Sequence, residues 1–191
     1  MNTSNTGKND VQQIIDDMRL WLEQAVIGLN LCPFAKSVHV KNQIRYVVSE
    51  ATELDVALTD LLLELRHLHN VSPETTDTTL LIFPHMFHDF YVFNDVLDLV
   101  DEVTDAEEFD NAFQVASFHP QFQFANTQPD DIENYTNRAP YPTWHLIREA
   151  SIDRAVQSFP DAEAIYSRNI QTLRTLGLTG WQQLFTQHPE K

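Results

Sequence analysis

The stretch T-T-L-L-I-F at Thr78–Phe83 decides the fold class. It is a short, continuous run rich in β-branched and aliphatic residues, which is the pattern of a strand covered on both faces. Strands of this kind are typical of sheets with helices packed on both sides. The run therefore predicts the centre of such a sheet.

Working outward, I-R-Y-V-V-S at Ile44–Ser49 and A-F-Q-V-A-S-F at Ala112–Phe118 predict two more strands. Strands that alternate with helices are typical of βαβ units. The order predicts an α/β fold with a small, mostly parallel sheet of three or four strands, in which Ser37–Val40 forms the further edge strand. An α+β fold with an antiparallel edge strand is the alternative. Apolar residues at three- and four-residue steps predict the helices, which are Asn9–Leu29, Thr52–Leu68, Phe90–Val103, Thr143–Phe159, Ala162–Leu176 and Thr179–Phe185.

The length of 191 residues fits a single domain, predicted at 9–191, after a flexible, polar tail at 1–8. The chain has 12 Lys and Arg against 28 Asp and Glu, a formal net charge of −16. Such a surface repels phosphate groups, so neither a nucleic acid nor an anionic membrane is expected as a partner. A small-molecule ligand is compatible with this charge, and the sequence carries no signal of oligomeric state.

The single cysteine, Cys32, excludes an internal disulfide and suits the reducing cytoplasm. With four glycines in the chain, the glycine-rich phosphate loop, the dinucleotide fingerprint and the serine-hydrolase elbow are all absent from the sequence. We therefore predict no organic cofactor. We also predict no metal, because the spacing of Cys32, His85, His88 and His119 does not form a complete ligand set. Cys32 follows a predicted helix C-terminus, which does not activate a thiol and so favours a packed side chain. Lys36 could offset this effect, which keeps a reactive thiol as the alternative.

A site is expected where parallel strands end, because ligands bind beyond their carboxyl ends. The strand at Thr78–Phe83 leads to His85, and the strand at Ala112–Phe118 leads to His119. If both strands run the same way, the two histidines lie at one sheet edge. They could act as acid–base catalysts, bind a metal with His88, or brace loops through hydrogen bonds.

The long polar connection Ser117–Glu149 carries aromatic residues and ends at a predicted helix beginning at Pro142 and Thr143. Arg138 could hold an anion at that helix N-terminus or brace the loop against nearby aspartates. The other candidate ligand-binding residues in or after this connection are Gln121, Asn137, His145 and Arg148.

Four sequence blocks resemble a bacterial family called domain of unknown function 1415. The blocks lie at Trp21–Lys36, Leu80–His85, Phe113–Thr127 and Tyr135–Ser151, and the resemblance covers about Trp21 to Ala155. It implies a bacterial, cytosolic protein and implies no particular activity.

Two functions remain open from the sequence. One is an enzyme acting on a small anionic metabolite, with His119 and His85 as acid–base groups and Arg138 and Arg148 as anion ligands. The other is a binding or interaction protein without turnover that uses the 119–149 segment as its recognition surface. Convergence of His119 and Arg138 in a cleft favours the enzyme, whereas their use in loop-bracing bonds favours the binding protein.

Overall fold

The computed structural model describes residues 3–109, 111–158 and 162–186. The chain alternates helices with strands and adds a strand and two helices at its end. The α-helices are α1 (Thr3–Trp21), α2 (Ala35–Val40), α3 (Leu54–Asn70), α4 (Phe90–Asp95), α5 (Leu97–Thr104), α6 (Glu149–Ser158) and α7 (Ala162–Gln183). The strands are β1 (Ile44–Val48), β2 (Thr78–Ile82), β3 (Phe113–Phe118) and β4 (Thr143–Arg148). A π-helical turn at Leu22–Ile27 follows α1, and 3₁₀ turns lie at Glu107–Phe109 and Ile132–Asn137.

Within the described residues, four strands form one sheet in the order β1-β2-β4-β3. Strand β1 is parallel to β2, and β4 is antiparallel to both β2 and β3. The three strands predicted from the sequence therefore all run in one direction. Their carboxyl ends lie at one edge of the sheet, and β4 is inserted between the second and third of them.

The predicted fold class is confirmed, since the mixed sheet surrounded by helices fits both α/β and its α+β alternative. The predicted helix at Thr143–Phe159 is wrong in its first six residues, which form β4, and the helix begins at Glu149. The segment alternates its side chains between the faces, and Trp144 and Leu146 are fully buried on one of them. Pairing with strands on both sides satisfies the backbone of β4, which outweighs its helix-like spacing.

Two apolar cores lie on opposite faces of the sheet. On one face, leucines of α3 and phenylalanines of α4 pack against Leu81, Trp144 and Leu146. On the other face, α1, the π-helical turn and α7 pack against Leu80 and Ile82. Strand β2 is buried at all five positions because both faces are covered, as its sequence predicts.

Smaller differences concern element ends. Ser37–Val40 lies in α2 and not in an edge strand. Helix α1 begins at Thr3, inside the predicted tail 1–8. Residues 1 and 2 of that tail lie outside the described residues. The predicted helix Phe90–Val103 is divided into α4 and α5 at Val96. Helix α7 is broken at Gly177, with φ 65°, which agrees with the predicted stop there. In the part of the chain that the structure describes, no helix has the length and apolar character needed to cross a bilayer.

Candidate functional site

The carboxyl edge of β1, β2 and β3 brings the two predicted catalytic histidines to the same side of the sheet. His119 directly follows β3, and His85 lies three residues beyond β2. Because β2 and β3 are both antiparallel to β4, they end at the same edge. The predicted position of the two histidines is therefore confirmed, but their environments differ sharply.

His119 is buried and uses both ring nitrogens inside the protein. Its Nδ1 accepts a hydrogen bond from the backbone N–H of Gln121 at 2.9 Å, so the proton of the neutral ring lies on Nε2. Nε2–H donates to the carbonyl oxygen of Phe87 at 2.8 Å. Burial lowers the pKa of His119 from its usual value, which keeps the ring in this neutral form. A ring bonded in this way has no free nitrogen for a substrate.

The carbonyl that accepts the hydrogen bond from His119 belongs to Phe87, which has an unusual backbone conformation. Phe87 has a positive φ of 58°, a region that a bulky residue rarely occupies. Its ring packs against Phe83, Phe93 and Trp144, so the position is set by the core. His119 thus connects the end of β3 to the loop that follows β2.

His85, in contrast, is exposed. Its Nε2 lies 3.5 Å from Oε2 of Glu50, in the loop that follows β1. His88 is also exposed, and the carboxylate of the adjacent Asp89 caps α4 by accepting from the N–H groups of Tyr91 and Val92. Among the described residues, no three His, Cys, Asp or Glu side chains lie together as a metal site would require. The absence of a cofactor remains a prediction.

Arg138 contacts backbone carbonyls of its own segment. Its Nε donates to the oxygen of Phe122 at 3.2 Å, and Nη2 donates to that of Pro129 at 2.5 Å. The guanidinium also lies 4.3 Å from the centre of the Tyr135 ring, a cation–π contact. The expected aspartate partners are thus replaced by carbonyls. The helix N-terminus expected beside Arg138 is absent as well, because 143–148 is a strand.

Asn134 holds the same segment from its centre and is fully buried. Its Oδ1 accepts from the N–H of Phe124 at 3.0 Å and from the hydroxyl of Thr127 at 2.8 Å, while Nδ2 donates to the carbonyl of Gln128 at 2.7 Å. Asn137, a predicted ligand-binding residue, donates to the carbonyl of Ser117 at 3.3 Å. The segment is therefore an ordered loop whose polar side chains satisfy its own backbone.

His145 and Arg148 lie on opposite faces of the sheet, because residues of β4 alternate in direction. The hydroxyl of Thr78 donates to the carbonyl of Leu146 and lies 2.6 Å from Nε2 of His145, which is therefore the protonated nitrogen. Burial lowers the pKa of His145 to about 4. Nη2 of Arg148 lies within 3.1 Å of three carbonyl oxygens, those of Leu68, Val71 and Thr76.

The remaining predicted residues are Gln121, whose side chain is exposed beside His119, and Cys32. Cys32 is partly buried against the core formed by α1 and α7, in the turn before α2. The structure therefore brings His85, His119 and Gln121 to one edge. Arg138 lies in the same loop, near enough for its charge to oppose protonation of His119, whereas His145, Arg148 and Cys32 lie elsewhere.

The sequence did not predict an aromatic row that crosses the surface of this segment. The rings of Tyr91, Phe90, Phe122, Phe124 and Tyr166 follow one another with centroid distances of 5.9, 5.2, 4.9 and 6.0 Å. The two tyrosines at its ends are exposed, at 66% and 51%. The row joins α4, the 119–131 loop and α7, and this long-range arrangement leaves no periodic signal in the sequence.

A groove of about 350 Å³ between the end of β1 and α3 was also missed. Its wall includes Leu63, which is 55% exposed. The three consecutive leucines at Leu61–Leu63 were the available signal, because neighbours on a helix differ by about 100° and all three cannot face one core.

Comparison with known proteins gives one relationship. No curated protein and no solved structure is detectably similar to the chain. The family described as "Protein of unknown function (DUF1415)" matches residues 13–183, which is most of the chain, so the protein belongs to that family.

Proposed function

We propose that the protein is an interaction protein, which binds a partner through the 119–142 loop and the two exposed tyrosines beside it, Tyr91 and Tyr166, and performs no turnover there. The observation that carries this proposal is the internal use of His119: both ring nitrogens are hydrogen-bonded to backbone groups in a buried site. Arg138 and Arg148 likewise donate to backbone carbonyls. Groups that would have to act on a metabolite are instead bonded to backbone groups, of the segment itself for Arg138 and of neighbouring elements for Arg148.

The aromatic row provides the contact surface in this proposal. Tyrosine is enriched at the centres of protein interfaces, because it contributes a large apolar area at a low entropic cost. Tyr91 and Tyr166 are exposed; Tyr91 packs against the buried Phe90, and Tyr166 packs against the half-buried Phe124. A segment braced in advance loses little conformational entropy on binding, which increases affinity.

The charge of the surface indicates the kind of partner. Asp89 and Asp130 are exposed near the row, and the whole chain carries a net charge of −16. A partner with apolar side chains surrounded by Lys or Arg would complement this surface, whereas nucleic acids and anionic membranes would be repelled. We place this interaction in the cytoplasm, where a lone thiol such as Cys32 stays reduced.

A peptide library displayed on phage tests the proposal. We expect selected peptides to combine Lys or Arg with apolar residues, and to lose at least about tenfold in affinity for the double variant Tyr91→Ser, Tyr166→Ser. Leu178→Ser is the control, because Leu178 is also exposed, at 50%, but lies outside the row. Equal binding of the selected peptides to the double variant would contradict the proposal.

One observation keeps an enzyme as the second candidate: His85 is exposed and lies 3.5 Å from the Glu50 carboxylate. Such a pair could serve as an acid–base group for a small molecule. Thermal-shift screening of anionic metabolites separates the two candidates. A saturable stabilisation that His85→Ala removes, and that the double tyrosine variant retains, would favour the enzyme.

A further inference from the structure

Strand β1 is an edge strand with an unprotected backbone. The N–H of Thr78 donates to the carbonyl of Gln43, and the N–H of Ser49 donates to the carbonyl of Ile82. The backbone N–H and C=O groups of the odd-numbered residues of this strand therefore point toward β2. The backbone groups of Ile44, Tyr46 and Val48 therefore point away from the sheet. Within 3–109, 111–158 and 162–186, no hydrogen bond reaches these outward groups. An unpaired edge is a template for one more strand.

The groove beside this edge would receive side chains of an added strand. It lies between the carboxyl half of β1 and the outer face of α3, and it has both apolar and acidic walls. Val56 and Leu63 are 45% and 55% exposed there. In a strand paired with β1, every second side chain would point toward α3 and into this groove. The other lining residues are Val47, Val48, Ser49, Glu50, Ala51, Asp60 and Glu64.

The charges in the groove are only partly balanced. Glu64 is paired with Arg45, at 2.7 and 3.1 Å. Asp60 accepts a hydrogen bond from the Ser49 hydroxyl at 2.6 Å, and no Lys or Arg of the described chain lies within 4 Å of its carboxylate. A partly buried carboxylate without a cation favours an incoming cationic side chain.

We propose that β1 and this groove bind an extended segment of a partner protein as a fifth strand. The segment places a Lys or Arg against Asp60 and apolar side chains against Val56 and Leu63. A second copy of this chain is a poor occupant, because it brings a further net charge of −16 toward an acidic groove. This surface is separate from the aromatic row and does not depend on it.

The probe is a synthetic peptide of sequence T-V-T-R-T-L-T, acetylated, amidated and labelled with a fluorophore. Its alternation places V, R and L on one face of a strand and threonines on the other. We expect saturable binding by fluorescence anisotropy, and slower hydrogen exchange of the Ile44, Tyr46 and Val48 amides in its presence. The same peptide with methyl groups on the backbone nitrogens that face β1 should not bind, because it cannot donate hydrogen bonds to the backbone of β1.

Two variants test the groove. Leu63→Lys places a cation in it, and Asp60→Asn removes the carboxylate while keeping an oxygen for Ser49; each should weaken binding at least about tenfold. Leu178→Lys, at an equally exposed leucine on α7, should bind like the wild type. The double tyrosine variant should also bind normally, so failure here is distinct from failure of the proposed function.

Several results would overturn the proposal. Absence of binding at millimolar peptide, equal binding of the N-methylated peptide, or an unchanged affinity in Leu63→Lys would each exclude a fifth strand at β1. A dimer in sedimentation that Leu63→Lys dissociates would assign the edge to a second copy instead.

Discussion

At the scale of single residues, two histidines act as neutral hydrogen-bonding groups, the buried His119 and the half-buried His145. His119 joins the end of β3 to the loop after β2, and His145 donates to Thr78 across the β2–β4 pair. An imidazole can donate at one nitrogen and accept at the other, and both of these rings lie where burial opposes protonation. The sequence pattern places His119 at a strand end, but it does not show which groups either ring bonds to.

The first prediction concerns His119→Leu. The change leaves the buried carbonyl of Phe87 and the partly buried N–H of Gln121 unpaired, which should lower the free energy of unfolding by about 2–5 kcal/mol. Urea denaturation measures it. His88→Leu, at an exposed histidine of the same loop region, is the control and should change stability by less than about 1 kcal/mol. Equal losses in the two variants would mean that the His119 bonds contribute nothing.

The second prediction concerns acid stability. The folded-state pKa of His145 is lowered from 6.5 to about 4. Below pH 6.5 the unfolded chain therefore binds a proton that the folded chain does not, so stability is complete above that pH and falls as the pH drops toward 4. The ring is partly exposed, so we expect a loss of about 2 kcal/mol from this group.

The variant His145→Gln keeps a donor for Thr78 and cannot titrate. Denaturant midpoints between pH 7 and pH 4 should show a shallower decline in this variant than in the wild type. His119 should leave part of the slope, because burial lowers its pKa in the same direction. A slope identical to that of the wild type would exclude the buried neutral state of His145.

At the scale of elements, the 119–142 connection is ordered by side chains that bond to its own backbone. Asn134 supplies two such bonds and a third to the hydroxyl of Thr127, and Arg138 supplies two. The sequence places aromatic residues in this connection, and such residues favour an ordered segment because they supply apolar surface to bury. It did not predict the partners of Arg138, because every residue has a backbone carbonyl and the sequence does not show which carbonyls an arginine contacts.

The third prediction is that Arg138→Ala loosens this segment without any ligand. Loss of two charged hydrogen bonds and the Tyr135 contact should cost about 1–3 kcal/mol and accelerate proteolysis within 119–137. Arg138→Lys should be destabilised too, because an ammonium group lacks the planar fork. Arg66→Ala, which removes the exposed pair with Glu108, is the control and should cost less than about 1 kcal/mol. A ligand-free stability equal to the control would instead favour the anion-binding role.

At the scale of the whole molecule, acidic residues outnumber basic ones by 28 to 12. Helix α5 shows the consequence locally: burial, Asp105 and Asp98 together raise the pKa of Asp101. Repulsion of this kind opposes the compact state, because folding brings like charges closer together. Salt ions screen such interactions over about 10 Å at 0.1 M ionic strength.

The fourth prediction is that salt stabilises the protein. Raising sodium chloride from about 0.01 to 0.15 M should increase the melting temperature by about 3 °C, measured by calorimetry. Asp105→Asn at the end of α5 should raise the melting temperature at low salt and reduce its dependence on salt, since it relieves repulsion at the negative end of a helix. A melting temperature that falls with salt would show that attractive pairs dominate.

The sequence by itself determined the fully buried strand β2, the alternation of helices and strands around it, and the common edge of His85 and His119. These features follow from local periodicity and strand direction. Only the tertiary structure decided that T-W-H-L-I-R at 143–148 is a strand between β2 and β3, because pairing partners far apart in sequence satisfy its backbone. It also decided that His119 and Arg138 bond inward, and that the groove at β1 and the two end tyrosines of the aromatic row are exposed. Burial and contact depend on which distant elements pack together, and no local pattern contains that information.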